Sequence, residues 1–178
     1  MKTIITASLV AAIATMYSVA MAEAPTQAPG AMAKLAFLVG TWQGDGWIVI
    51  RGQRHTFQET ETVTPKLGGT ALLIQGSGVS TDAGNAGEPI HNALAVASYD
   101  RHQHAYRWYA LQAGQPAIDT QADVSADTLT WHMTVPHGGK IRFVIKLNDK
   151  QQWHEIGEFS SDGKTWHQFF EMTLDRQA

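Results

Sequence analysis

Carboxylates at alternate positions are the first residues in this sequence that could do chemistry. Glu59 and Glu61 lie in a segment that alternates like a β-strand, so their side chains share one face. A carboxylate pair inside a cavity can transfer protons, and Glu155 and Glu171 on later strands offer two more acids. Arginines on neighbouring strands could equally pair with these acids on a charged sheet face. Because the sequence has no Gly-x-Ser-x-Gly segment and no Ser–His–acid arrangement, we expect a binding protein, with a cavity carboxylate enzyme as an alternative.

Two histidine segments have spacings used by metal sites, but their context differs from that of such sites. Residues 154–158 (HEIGE) lack the second histidine of the zinc-protease pattern His-Glu-x-x-His, where Glu158 takes its place. That pattern needs a helix to bring its first and last residues to one face, whereas this segment alternates like a strand. His102 and His104 lie in a predicted turn where only Asp100 could add a third ligand. We therefore predict no metal site.

The N-terminus has the features of a cleavable secretory signal peptide over residues 1–22. An early lysine precedes the apolar stretch 4–19, and Ala20-Met21-Ala22 is the small-x-small pattern that signal peptidase accepts. Cleavage near Ala22 predicts a periplasmic or secreted protein, and residues 23–30 (EAPTQAPG) predict a flexible lead-in. No cysteine follows the apolar stretch, so we expect no lipid anchor, and its interrupting polar residues argue against a membrane span.

Composition restricts the classes of partner that the protein could have. The 178 residues carry 13 Lys and Arg against 16 Asp and Glu, a formal net charge of −3. A mildly acidic chain without a basic run has no electrostatic surface for nucleic acid, and we predict none as a partner. The absence of cysteine excludes disulfides, a thiolate nucleophile and cysteine-bound metal. Nothing in the composition predicts an oligomeric state.

Period-2 alternation runs through most of the remaining chain and predicts a single all-β domain over residues 31–178. A short helix is expected first, over Ala31–Leu38. Short loops make neighbouring strands antiparallel, and closure removes the exposed edges of an open sheet, so we predict an up-and-down β-barrel of about ten strands, with a sandwich as the alternative. The predicted strands are 41–51, 54–64, 70–79, 92–100, 104–112, 117–124, 128–135, 141–147, 151–159 and 166–174.

Several segments resemble known barrel proteins. Gly40-Thr41-Trp42 resembles the Gly-x-Trp motif of lipocalins and other calycins, and its longer form, Gly-Thr-Trp-x-Gly-x-Gly, resembles the nitrobindin-like haem barrels. The mature chain is similar to a group of bacterial lipocalin-like proteins, often secreted, that has no assigned activity. That similarity is carried by Lys66–Gly69, Asn92–Asp100 and Asp162–Leu174. It implies a calycin-type barrel, in which an arginine of the last strand, here Arg176, packs over Trp42 at the barrel floor.

Aromatic residues and inward-facing glycines indicate what the barrel could hold. The chain has six tryptophans, many for its length, and aromatic walls bind flat or apolar ligands. Glycines that share the face of Trp42 mark either a bend in the sheet or space for a ligand. We predict a small hydrophobic or aromatic ligand and no cofactor; the parity of strand 104–112 stays open between Tyr106 with Trp108 and Arg107 with Tyr109. The candidate cavity residues are Trp42, Gly44, Gly46, Glu59, Tyr106, Trp108, Trp131, Phe143, Trp153 and Phe170.

Two further alternatives remain for function. A haem-binding barrel like nitrobindin would need an axial histidine near the chain end, for which His167 and His132 are the candidates. By strand parity His167 faces away from Phe170, Met172 and Leu174, unless a bulge intervenes. The second alternative is a solid-core interaction module that binds other molecules through exposed aromatic patches.

Overall fold

The computed structural model describes residues 30–135 and 138–178, so the predicted signal peptide and residues 23–29 of the predicted lead-in lie outside the described residues. The described chain begins with a short 3₁₀ helix, Met32–Leu38, and a second one, Leu67–Gly69, follows the second strand. The strands of the described ranges are β1 Gly40–Ile50, β2 Gln53–Lys66, β3 Ala71–Ser80, β4 Pro89–Asp100, β5 Ala105–Gln112, β6 Ile118–Ser125, β7 Thr128–Thr134, β8 Lys140–Leu147, β9 Trp153–Ser160 and β10 His167–Arg176.

These strands form one closed antiparallel barrel. Each strand pairs with the next in the chain, and β1 pairs with β10 to complete the ring. The structure therefore confirms the predicted all-β, up-and-down barrel with a short N-terminal helix. The hairpin after β9 shows how local sequence turns the chain, because Asp162 accepts the backbone N–H groups of Lys164 and Thr165 while Gly163 adopts a φ of 71°. No helix in the described ranges is long and apolar enough to cross a bilayer.

A β-bulge in β10 changes which residues of this strand face inward. The pairing with β9 shifts between Gln168 and Phe170, so Gln168 lies on the outer face and donates to Glu171. The prediction that one face runs unbroken from Trp166 to Leu174 is therefore wrong in its first part, because the extra residue reverses the alternation. The same shift places His167 opposite Phe159, where it is exposed.

The N-terminal 3₁₀ helix closes one end of the barrel, which we call the floor. Its Leu35 and Leu38 are fully buried, and the indole of Trp42 donates to the carbonyl of Leu38 at 2.8 Å. The guanidinium carbon of Arg176 lies 3.9 Å from the centre of the Trp42 ring. Arg176 also donates to the carbonyls of residues 37 and 39. Cation–π contact and hydrogen bonds therefore fasten the last strand to the helix and to the floor tryptophan.

Candidate functional site

Above the floor, the barrel encloses a cavity of about 160 Å³. The space exists because small side chains occupy inward positions on adjacent strands: Ala93 and Ala95 on β4, and Ala110 on β5. Larger side chains at these positions would fill the interior to the usual density of a protein core. The interior is therefore open, and its walls divide into an aromatic part and a polar part.

The aromatic wall is a stack that crosses several strands. Trp108 and Trp131 are parallel to within 17° with ring centres 5.7 Å apart, and Trp131 stacks on Phe143 at 4.4 Å. Phe170 meets Phe143 edge to face at 5.7 Å. The indole nitrogens of Trp108 and Trp131 are buried and have no hydrogen-bond partner among the described residues. The wall thus offers flat apolar surface together with two unused donors.

The polar part of the wall brings together four ionisable groups from three strands. Glu59 and Glu61 come from β2, His91 from β4 and Glu155 from β9; the three carboxylates are buried, with exposed fractions of 1%, 5% and 8%. His91 Nδ1 lies 3.1 Å from Glu59 Oε1, and the indole of Trp153 donates to Glu155 Oε2 at 3.1 Å. The Oε2 atoms of Glu59 and Glu61 have no hydrogen-bond partner within the described ranges.

Burial and mutual repulsion shift the pKa values of this group. Burial raises the pKa of Glu61 well above its ordinary value, and the negative charges of Glu59 and Glu155 raise it further. Burial also raises the pKa of Glu155 to about 7, although the Trp153 hydrogen bond and His91 oppose the rise. Burial lowers the pKa of His91, but the hydrogen bond to Glu59 and the charges of Glu59 and Glu155 outweigh it and raise that pKa.

Two glycines of β3 make room for these side chains. Gly76 pairs with Glu61 and Gly78 pairs with Glu59, so each carboxylate lies beside a position without a side chain. A Cβ atom at Gly76 would come within 2.6 Å of Glu61 Oε1 and 2.9 Å of His91 Cε1, and one at Gly78 would collide with Glu59 Oε2. The carboxylates and the imidazole therefore occupy the volume that side chains of β3 would otherwise take.

Five of the candidate cavity residues line the cavity directly, Glu59 belongs to the polar part through its contact with His91, and the other four lie elsewhere. Trp42 belongs to the floor, as does Tyr106, whose hydroxyl donates to the carbonyl of residue 31 at 2.5 Å. Gly44 packs against the β10 backbone and Gly46 against the ring of Phe57, so these glycines accommodate sheet coiling and give no space to the cavity. The five wall residues are Trp108, Trp131, Phe143, Trp153 and Phe170.

Other candidates of the sequence analysis lie outside the cavity. Strand β5 turns Tyr106 and Trp108 inward, whereas Arg107 pairs with Asp119 on the outer face. Glu171, paired with His154 at 3.1 Å, is also outside. His154 and Glu155 therefore point to opposite faces, which excludes a His-Glu metal motif at 154–158. His132 is half exposed beside Asp123, and His102, His104 and His167 are exposed.

Sequence reasoning missed three residues of the polar part, namely His91, Gly76 and Gly78. The predicted β4 began at residue 92, one position after His91. The alternation of the strand could have identified His91, because a strand that turns Ala93 and Ala95 inward also turns residue 91 to the same face. The role of the glycines depends on their pairing with Glu61 and Glu59, which no local pattern reveals.

The fold and its cavity define the class of protein as a closed ten-stranded antiparallel barrel with an internal cavity. No protein-family model matches the chain, and no curated protein matches it in sequence. Among solved structures it is similar to Rv2717c from M. tuberculosis, with a TM-score of 0.61 and 14% identity over 85% of this chain and 99% of that chain. At this identity the similarity shows the fold alone.

Two further solved structures are more distantly similar. One is EF1p2_mFAP2b bound to DFHBI, with a TM-score of 0.44 and 19% identity over 83% of this chain and 100% of that chain. The other is the redesigned barrel b11L5F_LGL, with a TM-score of 0.40 and 19% identity over 80% of this chain and 93% of that chain.

Proposed function

We propose that this protein is an exported, lipocalin-like barrel that binds a small aromatic molecule of one or two rings in its cavity. The observation that carries the proposal is the cavity of about 160 Å³ with an aromatic stack along its wall. An apolar cavity of about 150 Å³ binds benzene in a well-studied engineered protein, so the size fits one ring or a small fused pair. The aromatic rings that line the cavity would favour a flat, apolar ligand.

The polar atoms of the wall support a ligand with a polar edge. The unused indole N–H groups of Trp108 and Trp131 would donate to an acceptor, and Glu61 would accept from an N–H or O–H group. Indole is a suitable probe because it has both a flat face and one donor. Its nine non-hydrogen atoms, at roughly 0.6 kcal/mol each, correspond to a Kd of about 100 µM.

Nuclear magnetic resonance of the tryptophan side chains tests this proposal directly. We expect added indole or benzene to shift the indole N–H resonances of Trp108 and Trp131 saturably. Trp47 is on the outer face, where it donates to Glu171 at 3.2 Å, and its resonance should stay unchanged. The substitution Trp131→Leu should weaken indole binding about five-fold, because loss of an aromatic contact costs about 1 kcal/mol, whereas Trp47→Leu should leave it unchanged. Equal affinities in the two variants would contradict the proposal.

Haemin provides the large-ligand arm of the same experiment, since a tetrapyrrole is much larger than one ring. Saturable haemin binding with a shifted Soret band would overturn the proposed ligand size.

Export is tested separately by expressing the full chain in a bacterium and measuring the mass of the protein recovered from the periplasm. We expect an N-terminus at Glu23. An uncleaved, cytoplasmic protein would refute export and leave ligand binding untouched.

A further inference from the structure

The polar part of the wall contains a second arrangement of side chains that aromatic ligand binding does not use. We propose that Glu59, Glu61 and His91 bind one divalent transition-metal ion of the Mn²⁺ to Zn²⁺ series. Two carboxylates and one imidazole form a donor set that such ions accept, leaving further coordination positions open. This inference goes beyond the proposed aromatic binding, which does not depend on it.

The geometry of the three side chains suits a common ligand. One donor atom of each lies within 4.8 Å of the donor atoms of the other two. Ligands about 2.1 Å from a metal, at angles between 90° and tetrahedral, are roughly 3.0–3.4 Å apart. The distance of 3.1 Å between His91 Nδ1 and Glu59 Oε1 already falls in that range. Small rotations of the side chains would complete the site without moving the backbone.

The carboxylates of this cluster have oxygen atoms that are available to a cation. The Oε2 atoms of Glu59 and Glu61 are buried and have no hydrogen-bond partner among the described residues. Within those ranges no Lys or Arg pairs with either carboxylate, and His91 is the one basic group in contact with them. Buried carboxylates without partners are costly, and proteins place them in ion pairs or around metals. A divalent ion bound by this cluster would supply the positive partner that the two carboxylates lack.

The fold holds the three side chains in place from two strands that do not pair with each other. Glu59 and Glu61 are successive inward residues of β2, His91 is on β4, and β3 runs between them with Gly76 and Gly78 at the facing positions. The absence of Cβ atoms there lets the donor groups converge above the β3 backbone. Because Glu61 and His91 also line the cavity, the ion would lie in its wall.

The outer face of the barrel supplies a matched control. His154 Nε2 lies 3.1 Å from Glu171 Oε1, the same separation as in the inner histidine–glutamate pair, but this pair is partly exposed and, within the described residues, is not part of a three-ligand group. Chelator-treated protein should therefore bind Zn²⁺ or Co²⁺ one to one by calorimetry. The substitutions Glu61→Gln and His91→Gln should weaken this binding by at least about ten-fold. Loss of a group that only hydrogen-bonds to a metal ligand already weakens metal binding by at least about ten-fold, so loss of a ligand itself should have at least that effect. Glu171→Gln and His154→Gln should change it less than two-fold.

A second measurement uses the unsubstituted protein, so that it stands even if a variant fails to fold. Mn²⁺ bound at the inner site should broaden the indole N–H resonances of Trp108 and Trp131, which line the same cavity, before that of Trp166 on the outer face. Absence of saturable binding, equal losses in inner and outer variants, or preferential broadening of Trp166 would each overturn the proposal. Indole titration of the chelator-treated protein shows separately whether aromatic binding is retained, so a failure of metal binding can be distinguished from a failure of aromatic binding.

Discussion

Filling the cavity should make the barrel more stable and unable to bind its ligand. Ala95 is the position to change, because it lines the cavity from β4 between Ile74 and Ala110 on the neighbouring strands and is 6% exposed. The substitution Ala95→Leu adds three carbon atoms directed into about 160 Å³ of space. A larger side chain at this position occupies volume that the proposed ligand needs.

The size of the effect follows from burial and fit. Three buried methylene groups at about 0.8 kcal/mol each contribute about 2.4 kcal/mol. Imperfect packing of an inserted side chain costs about 1–3 kcal/mol in a filled core, and the open cavity keeps this cost at the lower limit. We therefore expect Ala95→Leu to raise the free energy of unfolding by about 1 kcal/mol, which corresponds to about 2–4 °C in Tm for a domain of this size.

Ala97 provides the control on the same strand and the same face. It lies between Leu72 and Trp108, is 1% exposed and does not line the cavity. Ala97→Leu therefore places the same added volume where no space exists, and should lower the free energy of unfolding by about 1–3 kcal/mol. The two substitutions differ only in the presence of the cavity, so opposite signs are the expected result.

Urea unfolding followed by tryptophan fluorescence measures both stabilities, with an unchanged m-value indicating that the same surface is exposed on unfolding. Indole titration measures binding, which we expect Ala95→Leu to abolish and Ala97→Leu to retain. Equal destabilisation by the two substitutions would show that the interior is closed in solution. Unchanged indole affinity in Ala95→Leu would place the ligand elsewhere.

Three further predictions concern the barrel that holds the site. Gly44→Ala should lower the free energy of unfolding by about 2–4 kcal/mol, because its Cβ would collide with the β10 backbone, whereas Gly84→Ala, with open space around it, should stay within about 0.5 kcal/mol in the same urea titration. Backbone N–H groups hold the pKa of Asp162 at about 2, below its usual 3.8, so its carboxylate stabilises the fold above about pH 4 and this contribution is lost as the pH falls through 2. The difference in Tm between the wild type and Asp162→Asn should therefore shrink as the pH falls from about 4 to about 2. A difference in Tm that stays constant over this range would contradict the stabilising role of the carboxylate. Arg176→Ala should lower the free energy of unfolding by about 2 kcal/mol, more than twice the effect of Arg54→Ala. Both arginines stack on a tryptophan, but in the described part of the chain only Arg176 also donates to backbone carbonyls. Equal free energies of unfolding in the two variants would refute this role of Arg176 at the floor.

The sequence predicted the strands well because alternation is a local signal. Strand 104–112 was predicted one residue from the observed β5, Ala105–Gln112, and strand 117–124 one residue from β6, Ile118–Ser125. The bulge at Gln168 could not be predicted in the same way, since a one-residue shift in pairing leaves residue types and spacing unchanged. Export and cleavage near Ala22 stay predictions, because they concern residues outside the described ranges.

The site was harder to predict than the strands because it depends on pairing between strands. Gly44 and Gly76 look alike in sequence, each a glycine at an inward position. The backbone of β10 occupies the space at Gly44, whereas Glu61 and His91 occupy the space at Gly76. Which neighbour meets which glycine follows from the register of the closed sheet, and register is a property of the whole barrel.

The cost of the cavity argues for a ligand independently of its wall chemistry. If no ligand or water filled it, a cavity of about 160 Å³ would cost about 4 kcal/mol, at about 24 cal/mol per Å³. That is a large fraction of the 5–15 kcal/mol by which domains are typically stable. One larger side chain at Ala95 or Ala110 would recover part of this energy, yet both positions carry alanine, and the same cavity is lined by residues whose buried polar atoms have no partner in the described part of the chain. Such local inconsistencies are expected at functional sites, and a bound molecule would resolve the void and the unpaired atoms together.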